Sequence, residues 1–273
     1  MVVFAIYVPA RIIYDYNSVD VRTIVYKKSA LPNDLVGFKI AFISDVQADR
    51  YTDEKRLTSY INKINQQNPD LVLITGDVIT STPDYIQTAA KYIGKFKSKY
   101  GVYSCVGDHD NWAYRRDYSR SLSEVETALN NYNVKMLDNA VNYIKIDTST
   151  IGITFITNTY VADVPDSTLK RLSKANDGDL KIFLTHQPQK FLISSAVKNN
   201  YDLFLAGHTH GGQITFLFPF IQLTPTLIET PYIKGDFTFN KTLAVVCRGL
   251  GMSLAPVRYN STPEVVILIL QKN

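Results

Sequence analysis

The stretch FLAGHTHGG, residues 204–212, decides how this chain is read. A short apolar run ends in a glycine-rich turn that carries His208 and His210 one residue apart. The 273-residue chain has four histidines, so half of them stand in this one turn. The layout repeats upstream. FIS is followed by Asp45, LVLIT and Gly76 by Asp77, VYSCV and Gly107 by Asp108, His109 and Asp110, and KIFLT by His186. Each apolar run has the length of a buried strand. In open α/β sheets, ligand sites gather beyond the carboxyl ends of the strands. Five strands in one sheet system would aim these groups at a single crevice, and the glycines let the chain turn there without a Cβ in the way.

All four histidines fall in this set, interleaved with strand-terminal aspartates. Carboxylates alone would suit calcium or magnesium. Imidazoles mixed with carboxylates suit manganese, iron or zinc. A shared carboxylate can hold two such ions close together. Paired ions clamp an in-line displacement at phosphorus and lower the pKa of a bound water.

The rest of the chain supplies the frame. Strands are expected at 19–26, 38–44, 71–75, 102–106, 181–185, 203–206, 243–247 and 265–270, and in NYIKI and ITFIT. Leu57, Tyr60, Ile61 and Ile64 repeat at helical spacing, with Asp53 placed to cap that helix. Further helices are expected over 84–98, around Leu122, Val125 and Leu129, near 166–176, and over 188–199, with Pro188 in its first turn. Strand–helix alternation followed by more strands indicates α/β, as a mixed sheet or two stacked sheets.

The motifs SDVQ, GD, GDHD, THQP and GHTHGGQ, in that order, resemble the calcineurin-type metallophosphoesterases. GHTHGGQ and the tail GLGMSLAPVRYNSTPEV are most similar to a bacterial phosphodiesterase branch often tied to membranes. The resemblance implies a four-layer α/β/β/α sandwich of two mixed sheets flanked by helices. It implies a first metal held by Asp45 and His210, Asp77 bridging, and a second held by His186 and His208 with position 108. His109 would bind phosphate and protonate the leaving oxygen, with Asp110 orienting it. Two positions depart from the family pattern: Gln47 stands for a histidine and Asp108 for an asparagine. An amide oxygen is a weaker ligand than imidazole, and an extra carboxylate tightens the second site, so the two sites should be unequal. The set is hardened toward manganese or magnesium.

The resulting expectation is a metal-dependent hydrolase of phosphodiester or pyrophosphate bonds. Its cofactors would be two divalent ions, manganese first, with magnesium, iron or zinc as alternatives. Its substrate would be a phosphorylated small molecule or a lipid-linked phosphate. A non-catalytic scaffold on the same fold, or a one-metal enzyme with an altered substrate range, stays open because of Gln47.

Composition narrows the partners. The chain is 45% hydrophobic and 20% charged, with a formal net charge of +4, an ordinary globular balance. The basic residues are scattered, so nucleic acid is not expected. Cys105 and Cys247 lie in apolar runs and read as reduced core thiols. MVVFAIYVPAR is too short an apolar run to span a bilayer. Residues 1–36 are read as an extension that packs on the domain or as the remnant of a membrane anchor, and 37–273 as one metallophosphoesterase domain. The location is expected to be cytoplasmic or membrane-associated, in a bacterium by resemblance. Residues 214–228, ITFLFPFIQLTPTLI, read either as strand and loop packed in the core or as an apolar lip for a lipid or a membrane. Asn111, Trp112, Arg115 and Arg116 read either as a substrate-touching lip or as a solvated helix start.

Overall fold

The computed structural model describes residues 2–218 and 221–273, with backbone only for 2–4. The apolar runs become strands of two six-stranded sheets. The first sheet contains β1 (Asp20–Lys27), β2 (Lys39–Ile43), β3 (Leu71–Ile74), β4 (Val102–Ser104) and β5 (Val134–Met136). The second contains β6 (Ala140–Ile146), β7 (Ser149–Phe155), β8 (Leu180–Leu184) and β9 (Leu203–Ala206). A hairpin, β10 (Phe216–Phe218) and β11 (Ile221–Leu223), stands apart. The strands β12 (Gly235–Phe239) and β13 (Thr242–Val246) complete the second sheet, and β14 (Glu264–Gln271) returns to the first.

The orders are β1-β14-β2-β3-β4-β5 and β12-β13-β9-β8-β7-β6. Both sheets are mixed. In the first, β2 to β5 run parallel while β14 lies antiparallel to β2. In the second, β7, β8, β9 and β13 are parallel with antiparallel edges β6 and β12.

Alternation along β2 shows how the layers form. Ile40 and Phe42 join a core between the sheets with Leu71, Leu73, Ile182, Leu184, Leu203 and Leu205. Ala41 and Ile43 point the other way, onto α2 (Glu54–Asn65), α3 (Ile86–Ile93) and α4 (Tyr118–Asn130). The second sheet turns Phe183 and Phe204 outward onto α5 (Asp166–Ala175) and α6 (Lys190–Lys198). The result is the expected four-layer α/β/β/α sandwich. Asp53 caps α2 by accepting from the Arg56 amide. Cys105 and Cys247 are buried and free. Pro188 lies just ahead of α6, whose N-cap is Gln189, rather than inside its first turn.

The structure describes two segments whose reading the sequence left open. The apolar start belongs to a 16-residue helix, Val2–Asn17, that continues through Pro9. Its buried Asp15 pairs with Arg11 at 2.7 Å and accepts from Thr262, which ties the helix to the chain end. Residues 216–218 are not packed in the core: Phe216, Leu217 and Phe218 are each just over half exposed. The β10–β11 pair forms its own two-stranded sheet, joined to neither large sheet. Pro219 and Phe220 lie outside the described residues.

Candidate metal centre

The carboxyl ends of β2, β3, β4, β8 and β9 converge, so five separate segments meet at one point. The approach is tight where the loops after β3 and β4 cross. A Cβ on Gly107 would fall 2.1 Å from Asp77 Oδ1 and 2.4 Å from its amide nitrogen, so this position excludes a side chain. Several residues here take left-handed backbone angles that L side chains resist: Asp45 (φ 50°), Gln47 (44°), Asp77 (55°), His208 (70°) and His210 (49°). Such strain collects where side chains must be aimed rather than packed.

The second half of the cluster is built around His186, which is fully buried. Its Nε2 lies 3.0 Å from Asp108 Oδ1, 3.2 Å from Asp77 Oδ2 and 3.2 Å from His208 Nδ1. His208 Nδ1 lies 3.4 Å from Asp108 Oδ1. The outer nitrogens are held by acceptors. His186 Nδ1 donates to the Thr75 carbonyl, and His208 Nε2 to the Glu229 carboxylate at 3.0 Å, with the Tyr160 hydroxyl at 3.1 Å. In the neutral rings that arrangement keeps the proton on the outer nitrogen, so a metal that displaces the inward proton would meet a lone pair. Gln187 also reaches Asp108, at 3.1 Å.

The first half holds Asp45, Gln47, Asp77 and His210. Asp45 Oδ1 is 3.9 Å from His186 Nε2 and 3.5 Å from His210 Nε2. Gln47 turns its amide nitrogen to Asp77 Oδ2 at 3.3 Å. Asp45 Oδ1 and Gln47 Oε1 are buried and have no hydrogen-bond partner among the described residues. A buried acceptor left alone is costly. Three buried carboxylates with two orphaned oxygens are the donor set of a divalent cation, and Asp45, Asp77 and His186 lie close enough to share one, as do Asp108, His186 and His208.

Electrostatics follow from the crowding. Burial opposes ionisation of Asp108, yet hydrogen bonds from His186 and His208 hold it well below the usual carboxylate range. Burial and the Asp77 charge push Asp110 up to about 7. Burial would lower His208, but hydrogen bonds to Asp108 and Glu229 win and raise it to about 9. Burial and the neighbouring Arg258 guanidinium lower His210.

His109 sits at the rim. Its Nδ1 donates to the Thr80 carbonyl, its ring meets Trp112 edge-on at 5.0 Å, and Nε2 is 3.5 Å from the Ser253 hydroxyl. Asp110 turns both oxygens to backbone amides of Asp77, Val78 and Gly107, each at 2.9 Å, so it clamps the two loops while Thr80 holds the imidazole. A cavity of about 600 Å³ opens beside His109, lined among others by Arg50, Tyr51, Trp112 and Met252. Arg115 and Arg116 are exposed and do not line it. Asn111 is buried against the Gly107 carbonyl.

The sequence reading missed Glu229, Tyr160 and Arg258. Arg258 stands within the quoted tail motif, whereas Glu229 and Tyr160 carry no local signal at all. Each acts only through a contact distant in sequence.

Comparison with known proteins agrees with this geometry. The chain is 31% identical over 252 residues to an uncharacterized metallophosphoesterase of Bacillus subtilis, covering 90% of this chain and 83% of that protein. It is 31% identical over 248 residues to one of Campylobacter jejuni, covering 88% of this chain and 61% of that protein. Among solved structures, a Thermus thermophilus protein shares the fold with a TM-score of 0.52 at 13% identity, covering 79% of this chain and 91% of that one. The profile of the calcineurin-like phosphoesterases matches residues 38–212, the span that runs from β2 through the two histidines after β9. With those strand ends carrying the convergent cluster, the chain belongs to the calcineurin-like phosphoesterase family and is a metallophosphoesterase.

Proposed function

We propose that this metallophosphoesterase hydrolyses phosphodiester or pyrophosphate bonds, with His109 as its proton-transfer group. The single observation that carries the reading is the meeting of Asp45, Asp77, Asp108, His186 and His208, with Asp45 Oδ1 and Gln47 Oε1 buried and unpartnered. Divalent cations held there supply charge neutralisation at the phosphoryl group and acidify a water.

The chain's own residues do the rest. Asp77 is placed to serve both halves of the cluster, its Oδ2 lying 3.2 Å from His186 and 3.3 Å from Gln47 while Oδ1 accepts from the His109 amide at 3.0 Å. Thr80 fixes His109 with Nδ1 as donor, so Nε2 is the atom that takes up and delivers a proton to a leaving oxygen. Trp112 limits rotation of that imidazole. The cavity beside it receives the leaving group, with Arg50 supplying a positive charge and Trp112 and Met252 an apolar wall.

A lipid-linked substrate is the finer reading. It is supported by exposed apolar surface on two neighbouring elements. Phe216 on the hairpin packs on Tyr259 at 5.8 Å, and Tyr7 on the N-terminal helix packs on the same ring at 6.5 Å. Ile6, Phe218 and Ile221 continue that surface, each more than half exposed. Among the described residues no helix is long and apolar enough to cross a membrane.

The deciding assay compares bis-p-nitrophenyl phosphate with p-nitrophenyl phosphate in manganese-loaded protein. Turnover of the diester, lost in His109→Ala protein that still binds manganese, is the expected result. Binding of manganese with no turnover of any phosphoester would favour the scaffold reading instead.

A further inference from the structure

Three of the four histidines are prepared in the same way: the nitrogen that faces away from the cluster or cavity rests on an acceptor. For His186 and His109 it is a backbone carbonyl, for His208 a carboxylate. His210 is prepared in the opposite way. Its Nδ1 lies 3.2 Å from a terminal nitrogen of Arg258. A guanidinium has donors only, so Nδ1 must be the acceptor. The proton of neutral His210 then resides on Nε2, the nitrogen 3.5 Å from Asp45 Oδ1. A nitrogen carrying a proton has no lone pair for a metal.

Arg258 is not free to move aside. It is fully buried, and its other N–H groups are spent on the carbonyls of Gly251, Arg248, Ser261 and His210, at 2.5 to 3.2 Å. No carboxylate pairs with it among the described residues. The Ser261 hydroxyl also donates to the His210 carbonyl, at 2.6 Å, which fixes the backbone of that turn. Freeing Nε2 would require the Arg258 contact to break, or imidazole to lose both protons.

Gln47 supplies the independent second observation. Where the family pattern has its other first-site histidine, this chain offers a neutral amide oxygen, buried and unpartnered beside the unpartnered Asp45 Oδ1. Both imidazoles that the resemblance assigns to the first site are therefore absent from its donor set, one by substitution and one by tautomer.

We propose that the first metal site of this chain is an all-oxygen site of Asp45, Gln47 and Asp77, suited to a hard divalent cation such as magnesium or manganese, with His210 held off the metal by Arg258. The His–carboxylate set of Asp108, His186 and His208 is the softer and tighter of the two. His210 is then a positioning residue whose Nε2–H faces the Asp45 carboxylate from 3.5 Å, too far to satisfy Oδ1. The inference rests on the metal-dependent reading above.

The test is a long-range proton–nitrogen spectrum of the full chain labelled with ¹⁵N-histidine and saturated with magnesium, with His210 assigned from the His210→Gln variant. An unprotonated Nδ1 and a protonated Nε2 are expected for His210, the reverse of His186. A protonated Nδ1 with a bare Nε2 in magnesium-loaded protein overturns the inference while leaving the hydrolase reading intact. Failure of the wild-type chain to bind magnesium or manganese overturns both.

Discussion

The Glu229 carboxylate accepts a hydrogen bond from His208 Nε2 at 3.0 Å, and the two residues lie 21 positions apart. This contact turns the other nitrogen of His208 toward Asp108 and His186. Glu229 comes from the loop beyond the exposed hairpin, so a surface segment steers a partly buried ligand. Glu229→Ala should weaken the tighter manganese site about 10-fold or more, with Glu229→Gln partly restoring it through its amide oxygen. Isothermal titration reads this directly, and an unchanged isotherm for the alanine variant would remove Glu229 from the site.

Metal-free protein should lose stability as the pH rises from 6.5 to 9. His208 is raised from its ordinary 6.5 to about 9, burial being outweighed by Asp108 and Glu229. A raised histidine contributes stability that is complete below its unfolded value and is lost as pH climbs through its folded value. His186, also raised, acts in the same direction. For His208 alone the loss is on the order of 2–3 kcal/mol. Saturating manganese should abolish the slope, because a lone pair given to a metal cannot take a proton. Urea midpoints at the two pH values, with chelator and with manganese, decide it. Equal midpoints in chelator would contradict the assignment.

Arg50, rather than Arg115 or Arg116, should bind the substrate. It lines the cavity beside His109, whereas the other two, exposed as it is, lie outside that lining. Arg50→Ala is expected to raise KM about 10-fold, in line with loss of one charge-assisted hydrogen bond. The doubly substituted Arg115→Ala, Arg116→Ala protein should keep the wild-type KM. The reverse pattern in steady-state kinetics would move the substrate to the other rim.

The exposed hairpin should carry membrane contact. Phe216→Ser with Phe218→Ser removes two aromatic side chains that the fold does not bury. Co-sedimentation with liposomes should fall sharply while circular dichroism and the melting temperature stay within experimental error. Retained sedimentation in the folded double variant would exclude the hairpin as the contact.

The sequence alone determined the strands that carry the site, the order in which they present their terminal aspartates and histidines, and the family. Buried strands are written as uninterrupted apolar runs, and their carboxyl ends are where a metal cluster can be assembled, so both were legible in runs such as LVLITGD and LFLAGHTH. The N-terminal helix was less legible because Pro9 reads as a stop, although the observed helix continues through it. The hairpin stayed open between core and lip because large apolar residues normally mean core, while exposure is settled by what else packs nearby.

Only the tertiary structure decided how each ligand nitrogen is prepared. Nothing in GHTH distinguishes His208 from His210. The difference lies in Glu229 and Arg258, one an acceptor and one a donor, delivered to the two rings from separate loops. A histidine's lone pair is set by the hydrogen bond on its far side, and that bond is a long-range contact that no local pattern encodes.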